Sequence, residues 1–307
     1  MPSSETWPIA AAMLPFPASH DAPAETWLAH LAEVAYEGFT EVDLTDSWLR
    51  VGDLEPARRA ELADALRRTG LTPVAVSAIR CSVIDPDDGD ANLAYSHRTI
   101  DAAAELGCTV VSVGLHRPLT EAQRGTLWFW TVDGPKDDPA DWDLAVRRLR
   151  ELGEHAAQVG LALSLEMYED TLLGSAASAV RLVEDIAHPA VGLNPDLGNL
   201  YRLHRDVEPF QAAVAACAPH ANYWHVKSYS RDVDPGTGAV TAVPAPMYAG
   251  SMDWRTAIRT AVAAGFDGPF CVEHYGGDGL SVMAENHRYL RRLLAVATGE
   301  VLAAVTR

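Results

Sequence analysis

The apolar positions of this chain follow two alternating patterns. Short, almost continuously apolar runs occur near residues 8–14, 40–44, 72–78, 109–114, 161–166, 190–194, 222–227 and 269–273. Longer stretches between them, such as ARRAELADALRRT and VMAENHRYLRRLLAVA, place apolar residues at helical spacing. Continuous apolar runs are typical of strands buried on both faces of a parallel sheet, so the pattern predicts a repeated strand–helix unit.

Eight such units in 307 residues predict an α/β fold, a single (β/α)8 barrel that occupies residues 1–307 as one domain. The glycine-rich fingerprint that would favour an open, dinucleotide-binding sheet does not follow the first strand. Two long segments, 116–138 and 228–250, follow the fourth and seventh strands and are therefore expected at the catalytic rim. The first contains a WFW cluster that we expect to be exposed. Lids or binding elements are one interpretation of these loops, and packing or oligomer contacts are the other.

Composition narrows the choice of partners. The chain has 24 Lys and Arg against 42 Asp and Glu, a net charge of −18, which disfavours nucleic acid and anionic membrane surfaces. Four scattered cysteines without C-x-x-C spacing give no sign of a disulfide framework or a zinc cluster. No apolar run approaches the roughly 20 residues that cross a bilayer, and the N-terminal residues do not resemble a secretory signal. A cytoplasmic location is therefore expected.

Four of the apolar runs end in a metal-ligand residue: Glu166, Asp196, His225 and Glu273. The carboxyl ends of neighbouring barrel strands converge on one axis, so these side chains are expected to meet. Buried carboxylates are costly unless they are compensated, either by Lys and Arg or by a cation. Three oxygen ligands and one imidazole suit Mn²⁺, Mg²⁺ or Co²⁺. Because four such residues occupy equivalent strand ends, compensation by a metal ion is favoured over compensation by Lys and Arg.

Other polar residues follow the same strand ends. Lys227 lies two residues beyond His225 on the same strand face, where it could stabilise an enolate or pair with a buried glutamate. His116 follows the fourth strand and is either a general base or a packing residue. Arg80 follows the third strand and could bind a substrate oxygen. Asp43 ends the second strand and is a weaker candidate.

The segments LSLE, NPDLGN, HVK and CVEH resemble those of the xylose-isomerase-like TIM-barrel superfamily, which includes sugar isomerases, ketose 3-epimerases and inosose dehydratases. The resemblance implies that Glu166, Asp196, His225 and Glu273 hold a divalent metal, Mn²⁺ before Mg²⁺ or Co²⁺. By analogy with the epimerases, it also implies that the two glutamates exchange the substrate proton. Homo-oligomers are common in that superfamily, so one is expected here.

The resemblance also assigns two substrate-binding positions. Many relatives carry a histidine where this chain has Asn199, which can hydrogen-bond a sugar hydroxyl but cannot transfer a proton. Arg231 matches an arginine that contacts substrate in the ketose epimerases, although a surface loop arginine is an equal alternative.

Together these features predict a metal-dependent sugar isomerase or epimerase that removes a proton next to a metal-bound carbonyl, through an enediolate. The alternative is a Mn²⁺-dependent lyase that eliminates from 3-oxo-glycosides. The segments HYGGDG and NYWHVK resemble the α subunits of C-glycoside deglycosidases, which pair with a small second subunit. A non-catalytic binding barrel is a minor alternative. The net charge and the single strand-end histidine argue against a nuclease of the endonuclease-IV type.

Overall fold

A computed structural model describes residues 1–306, which form eight parallel strands around a barrel and a separate antiparallel hairpin. The strands are β1 (Ile9–Ala12), β2 (Glu41–Thr45), β3 (Thr72–Ala78), β4 (Val110–Gly114), β5 (Ala162–Glu166), β6 (Val191–Asn194), β7 (Trp224–Val226), β8 (Ser228–Val233), β9 (Val240–Ala245) and β10 (Phe270–Val272). Neighbours in the barrel follow the order β6-β5-β4-β3-β2-β1-β10-β7, and β8 pairs with β9. Each barrel strand overlaps one of the predicted apolar runs, so the predicted (β/α)8 fold is confirmed.

Helices follow the barrel strands and cover the outside of the sheet. They are α1 (Ala24–Tyr36), α2 (Pro56–Thr69), α3 (Gly89–Glu105), α4 (Glu121–Arg124), α5 (Trp142–Gln158), α6 (Ala176–Ile186), α7 (Leu197–Tyr201), α8 (Phe210–Cys217), α9 (Trp254–Ala263), α10 (Gly279–Ala297) and α11 (Glu300–Val305). Side-chain oxygens of Ser175, Asp253 and Asp278 accept hydrogen bonds from the first turns of α6, α9 and α10. No helix within residues 1–306 is both long and apolar enough to cross a membrane.

The apolar core has two layers, as expected for a packed barrel. The larger layer lies between the sheet and the helices, and its fully buried members include Trp7, Trp27 and Trp254. The smaller layer fills the barrel interior, where Ala10 and Ala12 of β1 leave room for the larger ring of Tyr223. The interior is therefore filled at its base, and the functional groups collect at the carboxyl ends of the strands.

The barrel closes at the seam between β6 and β7, partly through side chains. Leu193 and Ala221 form a single parallel bridge, and the side-chain oxygen of Asn194 accepts a hydrogen bond of 2.7 Å from the backbone N–H of His225. An asparagine thus replaces part of the ladder next to two predicted site residues. This contact fixes the height of His225 relative to β6.

The two long loops differ from the expectations in detail. Trp130 is only 4% exposed, so the expected exposure of the WFW cluster is wrong for this residue. Its ring packs edge-on against Tyr229 at 5.5 Å and Tyr275 at 5.8 Å between centroids. Segment 228–250 contains the β8–β9 hairpin, which its glycine- and proline-rich sequence did not suggest. The loops therefore meet each other above the carboxyl ends of the strands.

Candidate active site

The four predicted metal ligands lie together and are almost completely buried. Glu166 is the last residue of β5, Asp196 directly precedes α7, His225 is the middle residue of β7, and Glu273 follows β10. Their exposed fractions are 2%, 0%, 0% and 4%. Side chains of metal-ligand type from four separate strand ends thus lie together in one buried region.

The imidazole of His225 is the centre of this group. Its Nδ1 lies 2.9 Å from Glu273 Oε1 and 3.4 Å from Glu166 Oε2. Burial alone would lower the pKa of His225, but Glu273 and Glu166 outweigh it and raise that pKa well above its ordinary value. The surrounding carboxylates therefore favour positive charge at this position.

Lys227 bridges two of the carboxylates. Its Nζ donates to Glu273 Oε2 at 2.6 Å and also contacts Asp196 Oδ2. A side chain at Gly198 would not leave room for it, because a Cβ there would lie 2.6 Å from Lys227 Cγ. One of the ion pairs that the sequence suggested for this lysine, that with Glu273, is present in the structure.

The carboxylates differ in their affinity for protons. Burial raises the pKa of Glu166 above its ordinary value and that of Asp196 to about 6. Burial acts on Glu273 in the same direction, but the charges of Lys227 and His225 outweigh it and lower its pKa. The two glutamates thus occupy electrostatically different environments although they contact the same ring nitrogen.

The donor set fits a divalent ion. Glu166, Asp196 and His225 each offer a ligand atom, and these atoms lie within 4.8 Å of one another. Among the described residues, the buried Asp196 Oδ1 has no hydrogen-bond partner, and the only side-chain oxygens that approach His225 Nδ1 belong to the carboxylates of Glu273 and Glu166. Carboxylate oxygens with one imidazole suit Mn²⁺ or Mg²⁺. These buried atoms have the positions and the chemistry that an ion between them would require.

Asp43 contributes more to the site than its sequence signal suggested. Its Oδ2 accepts hydrogen bonds from Tyr223 at 2.5 Å and Ser77 at 2.7 Å and lies 3.2 Å from His225 Nε2. Metal-binding histidines usually donate their second ring N–H to such a carboxylate, which fixes the tautomer and the ring orientation. The sequence contained one indication of the contacts that Asp43 makes. By strand alternation, Tyr223, His225 and Lys227 must share one face of β7 and its extension.

His116 lies beside the carboxylate group, at the end of β4. Its Nε2 is 3.4 Å from Glu166 Oε1, and its ring packs on Tyr168 with centroids 3.8 Å apart. Gly114 provides the space, because a Cβ there would lie 2.1 Å from the imidazole. Burial and the nearby Arg80 lower the pKa of His116 well below its ordinary value, so the neutral form of the ring is favoured and its protonated form is costly.

Asn199 and Arg80 also border the carboxylate group. The amide nitrogen of Asn199 donates to Asp196 at 2.9 Å and approaches Glu166 at 3.3 Å, while its Oδ1 has no partner within residues 1–306. Arg80 donates to the hydroxyl of Tyr168 at 3.2 Å. No carboxylate among residues 1–306 lies within ion-pair distance of Arg80. Asn199 therefore orients two carboxylates, and its free oxygen remains available for a hydroxyl group.

Two arginines depart from the sequence interpretation. The guanidinium of Arg231 donates to the backbone carbonyls of Arg205 at 2.6 Å and Leu203 at 3.4 Å, so the structure does not bring it among the carboxylates. Arg202, which the sequence did not single out, is fully buried and pairs with Glu169 at 3.1 Å. Its pattern in YRLHR is that of an ordinary helix end, which is why it was missed.

Aromatic rings surround Arg202 and lie over the group of buried carboxylates. Its guanidinium lies 4.8 Å from the ring centroids of both Phe129 and Trp130 and 5.6 Å from that of Tyr275. Lys227 lies 5.4 Å from the same tyrosine ring. The rings therefore connect the carboxylate group to loop 116–138, and they limit access by water.

The architecture is that of a (β/α)8 barrel whose strand ends carry convergent metal-ligand side chains, and comparison with known proteins agrees with this architecture. A model of the family described as xylose isomerase-like TIM barrel matches residues 28–293. The chain belongs to this family.

Individual relatives include sugar epimerases and another xylose isomerase-like TIM-barrel protein. The L-ribulose-5-phosphate 3-epimerase UlaE of Shigella boydii serotype 18 is 26% identical over 259 residues, covering 81% of this chain and 82% of its own. A xylose isomerase-like TIM-barrel protein from Mycobacterium smegmatis, solved in complex with magnesium, is 46% identical with a TM-score of 0.93, covering 97% and 99% of the two chains. An L-ribulose 3-epimerase structure shares the fold at 16% identity and a TM-score of 0.70, over 97% of this chain and 98% of its own. Epimerases are thus among the relatives, and the elimination alternative gains no support from them.

Proposed function

We propose that this protein is a sugar epimerase that inverts a carbon next to a carbonyl group, with Glu166 and Glu273 as its two proton-transfer groups. One observation carries the proposal: both carboxylates approach the same nitrogen of His225, from strands β5 and β10, which two other strands separate. A carbon held between them can lose its proton to one and regain it from the other on the opposite face.

Neighbouring side chains support this chemistry. The ammonium of Lys227, which contacts Glu273, supplies positive charge that would stabilise a substrate oxygen that becomes negative when the C–H bond breaks. Neutral His116 lies 3.4 Å from Glu166, and its ring nitrogens have no hydrogen-bond partner among residues 1–306, so they are available to a substrate hydroxyl. Arg80 and the free oxygen of Asn199 are available for substrate hydroxyls. These groups bind and orient a polyhydroxylated substrate and exclude water around it.

The proposal includes a divalent ion held by Glu166, Asp196, His225 and Glu273, with Mn²⁺ first and Mg²⁺, the ion named for the Mycobacterium smegmatis relative, second. When bound, such an ion would polarise the substrate carbonyl as a Lewis acid. Asp43 would hold the imidazole of His225 in the tautomer that presents Nδ1 to it.

The test measures inversion and proton exchange together. The Mn²⁺-loaded protein is incubated in D₂O with L-ribulose, L-ribulose 5-phosphate and free ketohexoses, and NMR follows both the epimer ratio and deuterium at the carbon next to the carbonyl. We expect deuterium in the epimerised product. Glu166→Gln and Glu273→Gln should each lower turnover by about 10²–10⁴-fold, whereas Glu154→Gln, at an exposed glutamate of α5, should change nothing.

Two outcomes contradict the proposal. If the loaded protein produces neither an epimer nor deuterium exchange with any of these ketoses, the reaction type is wrong. If exchange occurs but Glu273→Gln leaves it unchanged, the assignment of the second proton-transfer group is wrong.

A further inference from the structure

Asn194, the last residue of β6, is fully buried beside the group of carboxylates. Its side-chain oxygen accepts a hydrogen bond of 2.7 Å from the backbone N–H of His225, and its amide nitrogen lies 3.5 Å from Glu166 Oε2. The same nitrogen donates to Ser112 Oγ at 3.1 Å. Its backbone carbonyl accepts from the N–H of Asp196 at 2.8 Å. Three of the four proposed metal ligands are thus tied to one asparagine, through its side chain or its backbone.

The neighbours of Asn194 fix the orientation of its amide group. The backbone N–H of His225 can only donate, so it requires the amide oxygen. The carboxylate of Glu166 can only accept, so it requires the amide nitrogen. Turning the amide by half a circle would bring two donors together on one side and two oxygen atoms together on the other. Both contacts therefore demand the same orientation.

The backbone holds Asn194 firmly on the side of β5 and weakly on the side of β7. Its carbonyl also accepts from the N–H of Met167 at 3.1 Å, and Pro195 favours an extended conformation at the residue before it. Towards β7, by contrast, the ladder within residues 1–306 consists of the single bridge between Leu193 and Ala221. The side chain of Asn194 therefore supplies a contact to β7 that a longer ladder would otherwise give.

The oxygen of Glu166 that Asn194 approaches is also the one that faces His225, since Oε2 lies 3.4 Å from His225 Nδ1. We propose that Asn194 is a positioning residue of the ion site, which sets the separation between His225 on β7 and Glu166 on β5. This inference rests on the proposed function, through the ion that these two residues would hold.

Other side chains could not make both contacts. An aliphatic residue at position 194 would leave the buried N–H of His225 without an acceptor. An aspartate would turn a second carboxylate towards that of Glu166. An amide of this length offers an acceptor in one direction and a donor in the other, which is what the two neighbours require.

A second asparagine at the same seam provides a matched control. The backbone N–H of Asn222 donates to Leu193 at 3.1 Å, and its amide nitrogen donates to the carbonyl of Leu163 at 3.0 Å. Asn222 thus joins β5 and β6 to the segment before β7. Its amide nitrogen bonds to a backbone carbonyl instead of a proposed ligand. Loss of either asparagine should weaken the seam, whereas loss of Asn194 should also displace the ligands.

The experiment compares Asn194→Ala with Asn222→Ala in the full chain. Calorimetric titration gives the Kd for Mn²⁺, and the Tm in chelator gives the stability of each variant. We expect both variants to lower the Tm. Asn194→Ala should also raise the Kd by about 10–100-fold, the usual effect of removing a residue that orients metal ligands. Asn222→Ala should leave the Kd unchanged.

The contrary results are equally definite. An unchanged Kd in a folded Asn194→Ala chain, or the same change of Kd in both variants, would show that Asn194 only closes the seam. Circular dichroism without metal shows whether a variant is folded. If Asn194→Ala does not fold, Asn194→Ser takes its place with the same expected Kd, because a hydroxyl keeps the position polar but is too short to reach both neighbours.

The measurement of Mn²⁺ affinity separates this inference from the proposed reaction. If the wild type binds no Mn²⁺, the ion site and the positioning role of Asn194 are both wrong. If the wild type binds Mn²⁺ and Asn194→Ala weakens that binding, the positioning role stands even where no ketose is epimerised. In that case only the proposed reaction is wrong.

Discussion

Replacement of Lys227 by Met tests how the buried carboxylates are compensated. Lys227 is 2% exposed and contacts both Asp196 and Glu273. Methionine keeps most of the length and the apolar stem but removes the charge. Without the ammonium, two buried carboxylates lose their partner, and their ionised forms become costly.

The expected size of the effect follows from these contacts. Removal of one partner of a buried ion pair costs about 3–5 kcal/mol. With an unfolding entropy of about 2.1 cal/mol/K per residue, a chain of 307 residues changes its Tm by about 1.6 °C per kcal/mol. In the presence of chelator, Lys227→Met should therefore lower the Tm by about 5–8 °C.

The ion should reverse part of this loss. Asp196 and Glu273 no longer share their charge with an ammonium in the variant, so they should bind Mn²⁺ more tightly than in the wild type. A tenfold gain in affinity is about 1.4 kcal/mol, so the rise in Tm on adding saturating Mn²⁺ should exceed that of the wild type by about 2 °C. Differential scanning calorimetry with and without Mn²⁺ measures both quantities.

The chain contains its own control. Lys136 is the only other lysine and is exposed in loop 116–138, so Lys136→Met should change neither Tm nor the response to Mn²⁺. The reasoning is refuted if Lys227→Met lowers the Tm in chelator by less than about 2 °C, or if the loss is the same with and without Mn²⁺.

Three further predictions concern other parts of the molecule. Asp43→Asn should raise the Kd for Mn²⁺ by about 10–100-fold, measured by calorimetry, because it weakens the acceptor that orients His225. Gly198→Ala should lower kcat by about 10²-fold, measured by steady-state kinetics, because its Cβ would displace Lys227. Burial lowers the pKa of His287 to about 4, so the unfolded chain binds more protons below pH 6.5, and stability should fall by about 3 kcal/mol between pH 6.5 and pH 4. His287→Gln should remove that part of the pH dependence in urea unfolding.

Matched variants separate these effects from general damage. Ser77→Ala removes only one donor to Asp43 and should change the Kd far less than Asp43→Asn does. An unchanged kcat in Gly198→Ala would show that Lys227 tolerates displacement. If His220→Gln flattens the pH dependence as much as His287→Gln, burial of His287 is not the cause.

The strand ends were the predictable part of the site. Continuous apolar runs located the barrel strands, and the rule that strand carboxyl ends converge brought Glu166, Asp196, His225 and Glu273 together before any contact was known. This worked because burial on both faces gives a local sequence signal, and because a closed barrel leaves the strand ends only one common direction.

Contacts between loops could not be predicted in the same way. The burial of Trp130 depends on Tyr229, which lies in strand β8, and on Tyr275, which lies in the loop after β10. The partnership of Asp43 with His225 links β2 to β7 across the barrel, and an aspartate within a strand has the same local pattern whether it braces a ligand or caps a turn. Such pairings depend on the closed tertiary structure, and the periodic spacing of apolar residues along the sequence does not predict them.

Glu166 and Glu273 differ in their contacts and in the direction in which their pKa values are shifted. Glu166 and Glu273 both approach Nδ1 of His225, yet only Glu273 contacts Lys227. Burial therefore raises the pKa of Glu166, while the lysine and the imidazole lower that of Glu273. A pair of carboxyl groups with separated proton affinities can serve as acid and base at one pH. Of the two glutamates only Glu273 contacts Lys227, and the charge of this lysine favours the ionised form of Glu273, which leaves Glu166 as the glutamate that binds a proton more readily.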